Sequence, residues 1–217
     1  DDRVLGRGSC DTKAGMAALL EALSRVLENG RLARNVIIVG EADEELSSIG
    51  VHDVLKHLGS RRPDWVLATE PTELCLINAH KGVVHTQVCA HGRACHSSDP
   101  TQGQNAIVLL AKAILSIDES ARVFTDRPHP ELGPATLSVG IVHGGQAPNI
   151  VPDEARIWVD RRTLPDETPA IVQEQIEAAI RSAGVESQVV VESCSEEKPP
   201  LHTDASSIAV GATADAL

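Results

Sequence analysis

Residues 35–50 read NVIIVGEADEELSSIG. The first part, NVIIVG (35–40), is a short apolar run with β-branched residues, the composition of a buried strand. The second part sets Glu41, Asp43, Glu44 and Glu45 directly at its end. A solvated turn needs one or two charges, and so dense a group of carboxylates repels itself unless something positive sits among them. The run is either a surface loop or one wall of a cation site.

The flanking sequence supplies a context for it. From Lys13 to Asn29 the residues Met16, Leu19, Leu20, Leu23, Val26 and Leu27 recur at helical spacing, and Asn29-Gly30 is a stop. A second helix is predicted near 50–58, and DWVLAT (64–69) reads as a second buried strand. Helix and strand in alternation predict a doubly wound α/β layer, where ligands bind beyond the carboxyl ends of the strands. The acidic run and Glu70 both fall at such ends. After about residue 80 the pattern changes to strand 82–92, helix 105–117, strands 135–145 and 154–162, helix 168–184 and strand 186–193. That order, β-α-β-β-α-β, is the ferredoxin-like unit. Residues 195–204, SEEKPPLHTD, read as a polar linker before a further helix. The expected organisation is an α/β domain over 1–79, an inserted ferredoxin-like domain over 80–193, and a return to the first domain over 194–217.

Composition narrows the partners. With 19 Lys and Arg against 31 Asp and Glu the net charge is −12, which argues against nucleic acid or an anionic membrane as the main partner. The five cysteines include no CxxC pair, so neither a disulfide framework nor a zinc knuckle is indicated and a reducing, cytoplasmic compartment fits best. No apolar run approaches the ~20 residues of a membrane span. The chain opens on DDRVLGRGSCD and stops at GATADAL inside what reads as a helix. It is read as an internal piece of a longer protein.

Asp11 in GRGSCDTKAG, the pair Glu44-Glu45, and Glu70 in ATEPT lie where strand-end loops converge. Carboxylates from separate loops are a usual means of holding a divalent cation. One of two adjacent glutamates can coordinate while the other takes a proton from metal-bound water. Spacing alone leaves solvated loops as the alternative. His52 and His57 are poorly spaced for one helix face, and His80, His85, His91, His129, His143 and His202 have no metal-ligand partner at useful spacing. Cys10 reads as a small residue beside Asp11. The Gly6-x-Gly8 pair lacks the third glycine of a dinucleotide loop.

GRGSCDTKAGMAALLEAL, GEADEE, ATEPT and ACHSSDPTQGQNAI, with GGQAPNIVPDEARIWVDRR at 144–162, occur here in one order. Together they resemble the dinuclear zinc amidohydrolase and peptidase family of acetylornithine deacetylase, succinyl-diaminopimelate desuccinylase, aminoacylase and glutamate carboxypeptidase. The resemblance implies a partial doubly wound catalytic domain with an inserted ferredoxin-like lid that forms a homodimer. It also implies two Zn2+ per site, with Co2+ or Mn2+ as substitutes. By the same resemblance Asp11 bridges the metals, Glu45 and Glu70 each bind one, and Glu44 is the general base and acid. His96 reaches the partner subunit's site to stabilise the oxyanion, Asn149 and Arg161 contact substrate, and the Asp11-Thr12 peptide is cis. Arg162 competes with Arg161 for its role.

The family's two zinc-binding histidines, one from an upstream His-x-Asp motif and one near its C-terminus, are not in this sequence. Three carboxylates fall short of the ~four ligands zinc usually takes, so the 217 residues alone are expected to bind zinc poorly and to be inactive. The implied substrate is a small N-acyl amino acid, as for acetylornithine deacetylase, or a peptide, as for glutamate carboxypeptidase or a dipeptidase. The alternative of a different class is a non-catalytic dimerising relative.

Overall fold

A computed structural model of the chain describes residues 3–44 and 48–216. The chain divides into two units, Asp1–Leu76 with Gly211–Leu217, and Ile77–Val210. In the first, the predicted amphipathic run forms α1 (Lys13–Asn29), and Gly30 follows it as expected. The chain enters α2 (Ile49–Leu58) through Ser48 in the left-handed region and leaves it at Gly59, φ +58°. Residues 35–40 and 64–69 belong to no strand, and their large apolar side chains are exposed. The two strands expected there are corrected to unpaired segments. A strand of the doubly wound type needs ladder neighbours and covered faces, and these segments have neither among the described residues.

The second unit is built as its hydrophobic pattern requires. Its strands are β1 (Ala79–His80), β2 (Gly82–His91), β3 (Cys95–His96), β4 (Thr136–Gly144), β5 (Ile150–Val151), β6 (Glu154–Thr163), β7 (Val189–Lys198) and β8 (Leu201–His202). Its full helices are α3 (Ala106–Ser120) and α4 (Pro169–Ser182), and a short α5 (Ile208–Ala214) follows β8. Four strands make one antiparallel sheet in the order β4-β6-β2-β7, the ferredoxin-like arrangement predicted. Strand side chains alternate between faces. Val84, Val88 and Ala90 of β2 and Ala155, Ile157 and Val159 of β6 therefore share one face, where Leu110, Ala113 and Ile117 of α3 and Val172, Ile176 and Ile180 of α4 cover them. Both helices start on caps: the Val108 amide donates to Asn105 Oδ1 at 3.2 Å, and the Ile171 amide to Thr168 Oγ1 at 3.4 Å with Pro169 following.

β7 runs to Lys198, through residues read from sequence as linker, and β8 pairs with β1 beyond it. As an edge strand, β7 tolerates the polar sequence SEEK at its end, where residues 195–198 are exposed on both faces. It also carries a bulge: Gln87 faces Ser193 and Val88 faces Val191, leaving Glu192 as the extra residue.

Candidate functional site

The acidic positions of the first unit are organised by close backbone approaches. Gly8, at φ +77°, closes a turn in which its carbonyl accepts from the Lys13 amide at 3.0 Å. Asp11 lies inside that turn, and the Asp11-Thr12 peptide is cis, as expected. The Thr12 hydroxyl donates to the Thr69 carbonyl at 2.5 Å. At Gly15 a Cβ would stand 2.3 Å from the same carbonyl, so only glycine lets α1 pack here. Asp11 and Glu70, each one residue from that hydrogen bond, are thus drawn to the same end of the unit. The Met16 side chain meanwhile reaches Gly40, within 3.4 Å of where a Cβ would sit. The 40–44 turn is therefore tied to the same helix end.

Asp43, at φ +69°, reverses the chain, and its carbonyl accepts from the Ser48 amide at 2.7 Å. The Glu44 carbonyl accepts from the Ser48 hydroxyl at 3.3 Å. Glu45 lies outside the described residues. After Glu70 the chain turns again through Glu73 and Leu74, both left-handed. Asp11, Glu44 and Glu70 share a region but do not close into a three-ligand cluster among the described residues.

His96 and Asn149 meet in the second unit. β3 pairs antiparallel with β5, with His96 opposite Ile150, and the Ser97 amide donates to the Asn149 carbonyl at 3.0 Å. The loop bearing His96 is closed at its base by a reciprocal pair of Arg93 and Gln104 backbone bonds, each 2.8 Å. Gly92 permits this closure, because a Cβ there would stand 2.1 Å from the Gln104 carbonyl oxygen. The His96 ring is exposed, and its Nδ1 accepts the Ser98 amide at 3.2 Å. The same Nδ1 lies 2.7 Å from the Ser98 hydroxyl, which can donate to it as well; with Nδ1 an acceptor, a ring carrying one proton holds it on Nε2, a hydrogen-bond donor. A concavity of about 430 Å³ lined by Ala94, His143, Gly145, Ile150, Glu154 and Trp158 opens beside this ladder.

Arg161 is placed differently from the substrate-contacting role that the resemblance implies for it. It continues the inward face of β6 after Ala155, Ile157 and Val159, and it is 0% exposed. Its guanidinium pairs with Glu167, donates to the Arg162 carbonyl at 2.8 Å and lies 3.8 Å from the Phe124 ring centroid. Burial holds its pKa below the usual arginine value, opposed by the Glu167 charge. In this conformation it presents no surface to a substrate. Arg162, one residue on, is exposed on the other face with its Nε 2.8 Å from Asp160, and it is the arginine with reach into solvent. A structural role makes a prediction: Glu167→Ala should cost about 3–5 kcal/mol, because it strands a buried charge. Chemical denaturation checks it, and a cost within ~0.5 kcal/mol of zero would contradict the structural role.

One cluster escaped the sequence reading. Cys89 and His91 of β2 and Glu192 of β7 bring their ligand atoms within 4.8 Å of one another, the single such group among the described residues. The two-residue spacing of Cys89 and His91 was a signal, since such residues share a strand face. Glu192 comes from a distant strand at a bulge and carried none.

Comparison with known proteins joins these observations. The profile of the peptidase dimerisation domain matches residues 78–188. A peptidase M20 domain-containing protein of Schizosaccharomyces pombe is 36% identical over 172 residues, covering 76% of this chain and 40% of that protein. An acetylornithine deacetylase of Klebsiella pneumoniae is 35% identical over 171 residues, covering 77% of this chain and 44% of the relative. The chain thus spans about two-fifths of the length of these curated relatives. Among solved structures, an M20 family metallo-carboxypeptidase from Sulfolobus solfataricus superposes with a TM-score of 0.68 at 19% identity, over 95% of this chain and 60% of that one.

Proposed function

The chain belongs to the M20 peptidase family, whose dimerisation domain it carries, and on that premise we propose that it is the central part of a metal-dependent hydrolase that cleaves an amide bond. The observation that carries this reading is the Thr12–Thr69 hydrogen bond with the Gly15 approach, which draws Asp11 and Glu70 to one end of the first unit. In the proposed assignment Asp11, Glu45 and Glu70 would hold the metal. Carboxylate oxygens suit a divalent ion there, and zinc is the ion the family resemblance favours. The donor set in this chain holds no imidazole, so the 217 residues supply part of a zinc site. When bound, the metal supplies Lewis acidity and a more acidic water.

The remaining steps belong to protein groups. Glu44 takes the proton of the attacking water and returns it to the leaving amine nitrogen. His96, through its Nε2–H, donates to the carbonyl oxygen as negative charge develops there. Asn149, on the same ladder, and an arginine of the Asp160–Arg162 segment orient the substrate. Arg162 suits a substrate carboxylate better than the buried Arg161, because its planar fork faces solvent.

The substrate class proposed is an N-acyl amino acid, the class to which acetylornithine belongs; a small peptide is the alternative. Turnover of N-acetyl amino acids against dipeptides by the intact, metal-loaded protein tests this. Hydrolysis of neither would sink the enzymatic reading in favour of a non-catalytic dimerising relative.

The proposed assembly is a homodimer through the second unit. Among the described residues β4 ends the sheet with one side unpaired, and Ile141 and Val142 on it are exposed together with Ile107, Val108 and Leu115 of α3. An apolar edge of this kind pairs readily with another chain. Val142→Lys combined with Leu115→Asp is expected to move the intact protein from dimer to monomer in light scattering. A variant that remains fully dimeric would place the contact elsewhere.

A further inference from the structure

The sheet has one face under α3 and α4, and the opposite face carries a group of donors that the proposed hydrolytic chemistry does not use. Cys89 and His91, two apart on β2, point to that face, and the β7 bulge turns Glu192 toward them. We propose that Cys89 Sγ, a His91 ring nitrogen and a Glu192 carboxylate oxygen form a binding site for a divalent transition metal of the zinc class, fastening β2 to β7.

The chemistry favours such an ion. A sulfur, nitrogen and oxygen set suits zinc or cobalt and not magnesium or calcium, which take oxygen donors. A separation of up to 4.8 Å is somewhat wider than a metal with bonds of ~2.0–2.3 Å requires. His91 and Glu192 are exposed and can close on the ion, while Cys89 is buried and fixed. Charge also balances: thiolate and carboxylate neutralise a dication, and the adjacent Arg156 is matched by Glu154, with Nη1 to Oε1 at 2.6 Å. Arg156 also donates to both Glu192 oxygens, Nε to Oε2 at 3.1 Å and Nη2 to Oε1 at 3.4 Å. This orients the carboxylate and leaves lone pairs for an ion, as hydrogen-bonded carboxylate ligands do at known metal sites. One cost is plain: burial pushes the Cys89 thiol up to about 11, so an ion must displace its proton. A fourth position stays open to solvent.

Cobalt titration of the metal-free intact protein tests the proposal, because a thiolate–cobalt bond gives a near-ultraviolet charge-transfer band that carboxylate and imidazole ligands do not. The wild-type protein should show the band, and Cys10→Ser, which removes the thiol next to Asp11, should keep it. Cys89→Ser should abolish it. Should Cys89→Ser fail to fold, His91→Ala changes only an exposed side chain and should raise the half-saturating cobalt concentration ~10-fold or more. No band in the wild type, or a band untouched by Cys89→Ser or by His91→Ala, overturns the site.

Discussion

Glu44→Gln in the intact enzyme is expected to lower turnover ~10²–10⁴-fold and to leave the bound metal in place. The substitution keeps the size and shape of the side chain and removes its basic oxygen. The turn that presents residue 44 is held through backbone carbonyls, by the Ser48 amide on Asp43 and the Ser48 hydroxyl on Glu44, so exchanging the side chain leaves those bonds intact. A proton shuttle and a ligand separate cleanly in a paired measurement of metal content and rate. Turnover near wild type, or metal lost in step with activity, would show that Glu44 is not the shuttle.

His96→Ala should cost ~10²–10³-fold in turnover, the scale for losing one oxyanion donor. Its distinguishing feature is that the loss can be rescued by another defective subunit. In a dimer of His96→Ala with Glu44→Gln, one site lacks both groups and the other has both intact. Exchanging subunits at random should therefore restore about one site in four. Mixtures no more active than their components would mean that His96 serves its own subunit or serves none. The Ser98 amide and hydroxyl both meet the ring at Nδ1, which leaves Nε2 as the nitrogen for the proposed contact.

The ferredoxin-like unit was legible because its core is local in pattern: periodic helices with Asn105 and Thr168 caps, and strands whose alternation names the buried face. The same alternation gives the placement of Arg161 on the strand. Counting by twos from Ala155 through Ile157 and Val159 puts it inside and Arg162 outside, whereas motif resemblance points to Arg161 as the substrate contact. The apolar runs 35–40 and 64–69 misled because apolar composition reports what a segment needs covered, and a ladder needs neighbours that composition does not supply. Asp11 and Glu70 lie far apart in sequence, and their approach depends on a glycine at 15 that looks like any helical glycine.

The central pair of the sheet has a consequence for synthesis on the ribosome. Among the described residues β2 pairs with β6 and β7, with His91 opposite Glu154 and Gly82 opposite Thr163. At ~5–20 residues per second, β2 waits on the order of 3–16 s for β6 to emerge. β4 also emerges before β6, its one ladder neighbour, so two apolar strands stand unpaired together on the nascent chain. Neighbouring polysomal chains of the same protein meet in that interval with matching open edges. Dilute polysomes, or a holdase bound before residue 154 is made, should therefore raise the yield of folded protein more than any slowing of later elongation.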